Sequence, residues 1–156
     1  MQAKIILGID PGIGRTGYGL ISVNGIEMSS IAFGCITTLK NTPIPARLVE
    51  LERDLQEIVE RYKPDLVAVE ELLFTKNVST GIMVSEARGV ILLTIEKAGI
   101  ALREFTPPQI KLAVTGDGSA DKRQVQDMVL RLLKLSARPK LDDAADALAV
   151  AICAAN

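Results

Sequence analysis

Histidine and tryptophan are absent from this chain of 156 residues, and only three phenylalanines and two tyrosines are present. The absence of histidine excludes imidazole general bases, Ser-His-Asp triads and zinc sites that include histidine. Any hydrolytic chemistry must therefore rely on carboxylates, lysines, hydroxyls or a water molecule activated by a metal ion.

Cysteine and long apolar runs are also scarce. Cys35 and Cys153 stand far apart and match no metal-ligand spacing, so we expect two small buried thiols in a reducing compartment. The longest apolar run, "GVILLTI", is much shorter than the ~18 residues of a membrane span. The first residues lack the basic region and the small-residue cleavage site of a signal peptide. We therefore expect one domain over residues 1–156 that is cytoplasmic and does not enter a membrane.

The charges are unevenly distributed along the chain. The 18 basic and 19 acidic residues give a net charge of −1, which argues against binding of a polyanion by the whole surface. Residues 103–140, however, contain eight basic and four acidic residues, which leaves +4 for that segment. The acidic residues are therefore concentrated elsewhere.

Apolar periodicity and turn residues predict an α/β fold. "IILGID" is typical of a buried strand before a Pro-Gly turn, and "TGYGLISV" and "SIAFGCITT" predict two more strands in an antiparallel meander. Helical spacing of apolar residues between Ile44 and Tyr62 predicts a helix, and "DLVAVEELL" and "IALREFT" have strand composition. The predicted order is β-β-β-α-β-α-β-α-α-α, a five-stranded mixed sheet with helices on both faces.

Two of the later helices carry capping signals at their starts. "TPPQIKLAV" places Thr106 and Gln109 at the spacing of a capping box, with proline in the first turn. After the loop "GDGSAD", Ser119 is the expected cap of the helix "KRQVQDMVLRLLKL".

The last helix begins "LDDAADALAVAIC" and combines a packing surface with three aspartates. The core stripe predicted by helical spacing consists of Leu141, Ala145, Leu148 and Ile152. Asp143 and Asp146 are three residues apart and Asp142 and Asp146 are four apart, so either pair can share a face. Aspartates in a first turn also stabilise a helix by facing its dipole or by capping free N–H groups, which requires no further role.

Two other acidic residues lie where a strand is expected to be buried. Asp10 ends the first strand, although Asp before Pro-Gly is also a common turn former, and Glu70 lies in the apolar run "LVAVEELLF". Sites in such sheets form outside the carboxyl ends of the strands, where two aspartates of the last helix would complete a cluster of four carboxylates. Oxygen ligands without histidine or cysteine suit Mg²⁺ or Mn²⁺, and two such ions can stabilise the attacking and leaving oxygens of a phosphodiester.

Five motifs stand in a specific order along the chain: "GIDPG…TGYG", "VEELLFTKN", "EARGV", "QIKLAVTGDGSADKRQVQ" and "DDAADALA". In this order and spacing the chain resembles the RuvC family of bacterial Holliday-junction resolvases over nearly its whole length. The resemblance implies a ribonuclease-H-like fold, a homodimer, and magnesium-dependent paired nicking of four-way DNA junctions in recombination and repair. It also implies docking with the RuvA–RuvB branch-migration complex.

The resemblance also implies roles for particular residues. The acidic tetrad of the family corresponds to Asp10, Glu70, Asp143 and Asp146. These residues are then catalytic and would be ligands of two Mg²⁺ ions, for which Mn²⁺ can substitute, with Asp142 as an extra acid beside the site. The functional lysines of the family correspond to Lys111 and Lys122, and Lys122 is expected to act on the scissile phosphate.

The predicted contacts with DNA depart from the family at one position. The family usually has an aromatic residue three positions after the strand glutamate, where this chain has Leu73, followed by Phe74. Either Phe74 stacks on junction bases, or Leu73 acts as an aliphatic wedge, or Phe74 is a core residue. With so few aromatic residues, phosphate contacts must supply most of the affinity, which makes binding strongly salt dependent. The predicted phosphate contacts are Lys76, Arg88, Lys111, Lys122 and Arg123.

Two other functions fit parts of the sequence. One is a related ribonuclease-H-like nuclease that acts on RNA. The other is one lobe of an actin-like ATPase, because "DPGIGRTGYG" also resembles the phosphate loop of those proteins. An ATPase of that class needs two such lobes, and the sequence contains one and no second glycine-rich loop.

Paired cuts in a four-way junction favour a dimer with two-fold symmetry. The helix expected over residues 81–97 has apolar side chains in more directions than one sheet can cover. We therefore expect this helix to pack against a second copy of the chain. The alternative is that neighbouring helices of the same chain cover it.

Overall fold

A five-stranded mixed sheet carries helices on both faces in the computed structural model, which describes residues 2–73 and 77–156. The strands are β1 (Lys4–Asp10), β2 (Arg15–Asn24), β3 (Glu27–Thr37), β4 (Leu66–Glu70) and β5 (Ala101–Phe105). The helices are α1 (Ile44–Tyr62), α2 (Val78–Lys97), α3 (Pro107–Thr115), α4 (Lys122–Leu132) and α5 (Asp142–Ala155). The α/β class and the order of elements predicted from the sequence are confirmed.

The strands lie in the order β3-β2-β1-β4-β5. The first three form the predicted antiparallel meander, while β4 and β5 run parallel to β1. Because β1 and β4 are parallel neighbours, with Ile9 in register with Val69, their carboxyl ends meet at one edge of the sheet. Asp10 and Glu70, the last residues of these strands, therefore lie side by side at that edge.

Helices α3, α4 and α5 cover one face of the sheet, and α5 lies close against β1 and β2. The buried cluster on this face includes Ile6, Val129, Leu148 and Ile152. A Cβ atom added to Gly8 would overlap the carbonyl oxygen of Ala147, and one added to Gly17 would overlap that of Asp143. Because glycine has no Cβ at these positions, α5 can pack closely against the strands, and its start lies over the edge of the sheet that contains Asp10.

Helices α1 and α2 cover the opposite face with larger side chains. The buried cluster on this face includes Leu7, Ile9, Leu51, Leu55, Ile91 and Ile95. Arg47 interrupts the apolar face of α1: it is 6% exposed, and its Nε donates a 2.9 Å hydrogen bond to Thr38 Oγ1. Because Thr38 in turn donates to the carbonyl of Ile13, this arginine ties α1 to the loop that follows β1.

The starts of α3 and α4 test the two capping predictions. Thr106 and Gln109 form the predicted capping box at the start of α3. The prediction for Ser119 is wrong, because Asp121 caps α4 in a second capping box with Gln124. Ser119 donates its N–H and its hydroxyl to the carboxylate of Asp117 instead, and so stabilises the preceding loop.

Three smaller expectations also differ from the structure. Leu141 is 39% exposed and does not join the core stripe, because it precedes the first turn of α5. Strand β4 ends at Glu70, so the residues that follow it belong to a loop rather than to the strand. Cys35 is only half-buried, since it lies on β3 at the edge of the sheet, whereas Cys153 is buried as expected.

Helix α2 has more apolar surface than the described part of the chain covers. Val78, Ile82 and Leu93 are 66%, 52% and 54% exposed, whereas Ala87 and Ile91 are fully buried. By length and composition this helix is also apolar enough to cross a membrane, and 28% of its apolar window is buried. Its inner side packs against α1 and β5, so the excess apolar surface lies on its outer side.

Candidate active site

Asp10 and Glu70 form a close pair of carboxyl groups at the edge of the sheet. Burial, the charge of Glu70 and a hydrogen bond between the two side chains raise the pKa of Asp10 from 3.8 to about 9. Burial is also the main reason that the pKa of Glu70 is raised. The pair therefore retains a proton at neutral pH unless a positive charge comes close enough to stabilise both carboxylates.

The start of α5 separates the three aspartates that the sequence could not distinguish. Leu141 occupies the N-cap position, where an apolar side chain accepts no hydrogen bond, so helix capping does not explain them. Asp146 lines a cavity together with Asp10. Asp143 instead makes a 3.1 Å ion pair between its Oδ2 and the Nε of Arg15.

Asp142 lies on the outer side of the same helix turn. It accepts a 3.1 Å hydrogen bond from Gln126 and lies 3.4 Å from the Nζ of Lys122. Gln126 and then Lys122 lower the pKa of this carboxyl group. Asp142 thus lies outside the cavity, and Asp146 is the aspartate of α5 that lines it together with the strand pair.

Lys122 and Lys111 bring positive charge to the cavity from α4 and α3. Lys122 follows the Asp121 cap directly, and its Nζ lies 3.3 Å from the Oδ2 of Asp146. Burial opposes the charge of Lys122, but the carboxylates of Asp146 and Asp142 outweigh it and raise the pKa of this lysine. The cavity has a volume of about 300 Å³ and is lined by Asp10, Glu70, Pro107, Ile110, Lys111, Lys122, Val125, Asp146 and Ala149.

The four acids predicted from the sequence lie near one another but do not converge on a single point. Within residues 2–73 and 77–156, no group of three acidic side chains is arranged closely enough to hold a metal ion. Each carboxylate has a local partner instead: Asp10 and Glu70 have each other, Asp143 has Arg15 and Asp146 has Lys122. The donor set nevertheless fits a hard divalent cation, because it consists of carboxylate oxygens, and burial makes the ionised strand pair favour a cation.

Leu73 lies beside the same acids, at the mouth of a second cavity. It is 50% exposed, and it lines this cavity of about 320 Å³ together with Asp10, Glu70 and Val84 of α2. The structure thus places the predicted aliphatic wedge next to the strand carboxyls. Phe74 and Lys76, also predicted to contact DNA, lie outside the described residues.

The two arginines predicted to contact phosphate lie in different surroundings. Arg123 follows Lys122 in α4 and is exposed, but it does not line the cavity that contains Asp10. Arg88 of α2 pairs with Glu104 of β5 and borders a separate cavity that includes Glu71. The structure therefore does not bring Arg88 to the cavity that contains Asp10.

Sequence reasoning missed two arginines, one that pairs with Asp143 and one that is linked through Thr38 to the loop after β1. Arg15 begins β2 two residues before Gly17. Strand alternation therefore places both residues on the face that contacts α5, and this alternation can be read from the sequence. Arg47 stands four residues before Leu51 in the buried stripe of α1, where a charged residue is out of pattern. The strand alternation at Arg15 and the charged residue in the apolar stripe at Arg47 can both be read from the sequence, but neither pattern indicates which residue the arginine binds.

The chain matches known proteins over almost all of its length. The family model described as crossover junction endodeoxyribonuclease RuvC matches residues 6–154. A protein of that name from Petrotoga mobilis is 53% identical over 152 residues, which cover 97% of this chain and 93% of the relative. One from Heliobacterium modesticaldum is 51% identical, with 97% of this chain and 94% of the relative covered.

Solved structures share the fold. The Thermus thermophilus RuvC in complex with a Holliday junction substrate is 31% identical, has a TM-score of 0.91 and covers 96% of this chain and 92% of its own. The yeast mitochondrial Holliday junction resolvase, at 14% identity and a TM-score of 0.72, shows the likeness of fold alone. These likenesses confirm the ribonuclease-H-like class that the motifs predicted. With the family model and close relatives both spanning nearly the full length, the chain belongs to the RuvC family of crossover junction endodeoxyribonucleases.

Proposed function

We propose that this chain is a structure-selective endonuclease that cuts four-way DNA junctions by symmetric, paired hydrolysis of phosphodiester bonds. The observation that carries the proposal is the cavity in which Asp10, Glu70 and Asp146 meet Lys111 and Lys122. Family membership over residues 6–154 and the likeness to a RuvC bound to a Holliday junction support the choice of substrate. The proposed unit is a single nuclease domain that spans residues 1–156.

The acids of the site are proposed to hold divalent cations. Asp10, Glu70, Asp143 and Asp146 are the candidate ligands of two Mg²⁺ ions, for which Mn²⁺ can substitute. Bound there, the ions would stabilise the attacking and leaving oxygens of the phosphodiester. To bind a cation, the strand pair would release the proton that it retains at neutral pH. The α5 aspartates would break their ion pairs with Arg15 and Lys122.

The lysines are proposed to act on the phosphate itself. Lys122 begins α4 at the rim of the cavity, so its Nζ can face the scissile phosphate, where negative charge develops during hydrolysis. Lys111 lines the same cavity from α3 and is proposed to hold a phosphate in place. Arg123, the next residue of α4, is proposed to contact a phosphate of the DNA backbone, and Leu73 is proposed to press against junction bases.

We further propose that the chain works as a homodimer packed through α2. Val78, Ile82 and Leu93 on the outer side of this helix are more than half exposed, and Gly89 has open space around its Cα. Burying such a surface against a second copy removes apolar area from water and fixes two identical sites at one distance. Docking with the RuvA–RuvB complex remains a prediction of the family resemblance, and a cytoplasmic location remains a prediction from the few cysteines and the first residues of the chain.

The test compares a four-way junction with linear duplex of the same sequence, with and without Mg²⁺. We expect the wild type to nick the junction at symmetric positions only with the metal, and to leave the duplex intact. An RNA–DNA hybrid in the same assay separates the junction enzyme from an RNA-acting nuclease of the same fold. Preferential cleavage of the hybrid, or cleavage of duplex at the same rate as junction, would contradict the proposal.

A further inference from the structure

Arg15 and Lys122 both pair with aspartates of α5, but they differ in how many carboxylates each one contacts. Lys122 lies 3.3 Å from Asp146 and 3.4 Å from Asp142, so it keeps a carboxylate if it loses Asp146. Arg15 lies 3.1 Å from Asp143, and among the described residues no second carboxylate is within ion-pair distance of it. Loss of Asp143 would therefore leave the guanidinium without an anionic partner.

The backbone around Arg15 is fixed, so any exchange of partners must occur in side chains. Arg15 opens β2 in register with Thr37 of β3, and Gly17 is packed directly on the backbone of Asp143. Separating the start of β2 from the start of α5 would open a gap in this close packing, which is unfavourable. The side chain of Arg15, in contrast, is 53% exposed and can rotate into solvent, whereas that of Asp143 is 28% exposed.

The Arg15 ion pair also explains why Asp143 stands apart from the other acids. Asp10, Glu70 and Asp146 line one cavity, and Asp143 does not. A cation that uses Asp143 as a ligand competes with Arg15 for the same carboxylate group. A half-exposed ion pair is weak enough to be displaced by a divalent cation.

We infer that Arg15 exchanges partners during the reaction cycle: it holds Asp143 until a divalent cation binds, and it then turns to a phosphate of the DNA backbone. This inference rests on the proposed function, because both the cation and the DNA belong to it. A guanidinium suits the second role, since its planar donors bind phosphate oxygens in pairs. Arg15 would thereby couple occupation of the site by a cation to binding of the substrate.

The experiment measures Mn²⁺ binding without DNA by calorimetry, and binding of an uncut four-way junction in Ca²⁺, for wild type and Arg15→Gln. We expect Arg15→Gln to bind Mn²⁺ about two- to fivefold more tightly, the range that loss of a half-exposed ion pair allows. We expect the same variant to bind the junction more weakly, with a salt slope lower by about one unit.

Two controls make the result specific. Arg53→Gln removes an exposed arginine whose 2.9 Å ion pair joins it to Asp54 on α1, and it should change neither Mn²⁺ binding nor the salt slope. Arg15→Lys keeps the charge and should restore most of both properties, while thermal melts check that the variants fold.

Equal Mn²⁺ affinity in wild type and Arg15→Gln, or an unchanged salt slope, would overturn the exchange. If the wild type itself bound no Mn²⁺, the proposed cation site would fail first, and the exchange with it. The two failures are therefore distinguishable.

Discussion

Two helical layers cover the same sheet, but they approach it with different side chains. On one face, Gly8 and Gly17 allow the backbone of α5 to lie against the strands, and the helix contributes mainly alanine. On the other face, leucine and isoleucine of α1 and α2 fill the space, and the helix backbones approach the strands less closely. Small residues on the α5 side therefore bring the helix close to the strands, and this close approach puts Asp146 beside the strand carboxyls.

The largest expected effect comes from filling the close contact on the α5 side. Gly8→Ala should lower the free energy of unfolding by about 3 kcal/mol or more, because the new methyl overlaps the Ala147 carbonyl and no flexible side chain can yield. Leu55→Ala on the opposite face should cost a similar amount, about 2–5 kcal/mol, by opening a cavity. Urea unfolding measures both changes.

Cleavage per folded molecule distinguishes the two variants. We expect Gly8→Ala to lose most of its activity because α5 must shift, whereas Leu55→Ala should cut at close to the wild-type rate once the unfolded fraction is subtracted. Equal losses of activity in the two variants would mean that close approach of α5 has no special importance.

Local sequence patterns predict the elements of this sheet but not how closely the helices pack on it. The order of elements and the strand positions of Asp10 and Glu70 were predicted, because local periodicity and turn residues determine them. The capping of α4 by Asp121 was missed because Ser119 and Asp121 are both good N-cap residues, and only the geometry of the loop selects one. The pairing of Arg15 with Asp143 was missed because it depends on how closely α5 packs on β2, a distance that no local pattern encodes.

The next effect concerns the positive charge on the α5 side. Lys122→Ala should reduce the rate of junction cleavage by about tenfold to a hundredfold, with a much smaller change in junction affinity, because the charge acts where negative charge develops. Lys97→Ala is the matched control, since it removes a lysine whose 3.2 Å ion pair with Glu52 joins α2 to α1 on the opposite layer. A loss confined to binding would make Lys122 an ordinary phosphate contact.

The strand carboxyls should make stability depend on pH. Asp10 has a pKa of about 9 in the folded state and 3.8 as its ordinary value, so the folded chain binds more protons between these values. The free energy of unfolding must therefore fall as the pH rises through this range. In a chelator at pH 7, Asp10→Asn should stabilise the protein by about 1–3 kcal/mol and flatten the pH profile of the melting temperature. A variant less stable than wild type at pH 8 would contradict the raised pKa.

The smallest effect on folding is expected on the outer side of α2. Ile82→Glu should change the free energy of unfolding by no more than about 0.5 kcal/mol, because the side chain is already 52% exposed. It should nevertheless produce monomers in sedimentation at micromolar concentration, and these should nick junctions without pairing the cuts. Val49→Glu on α1 alters an apolar side chain that is 66% exposed and should leave the dimer intact.

A wild type that sediments as a monomer with and without junction DNA would refute the dimer.

Helix α5 brings one particular aspartate to the strand pair, and single substitutions of two aspartates one turn apart in this helix test that assignment. Asp146→Asn and Asp142→Asn each remove one negative charge, but only Asp146 lines the cavity with Asp10 and Glu70. Measured on a four-way junction in Mg²⁺, Asp146→Asn should cut at least about a hundredfold more slowly while still binding the junction, and Asp142→Asn should stay within about threefold of wild type. Substantial cleavage by Asp146→Asn, or a larger loss in Asp142→Asn, would contradict the assignment of the site.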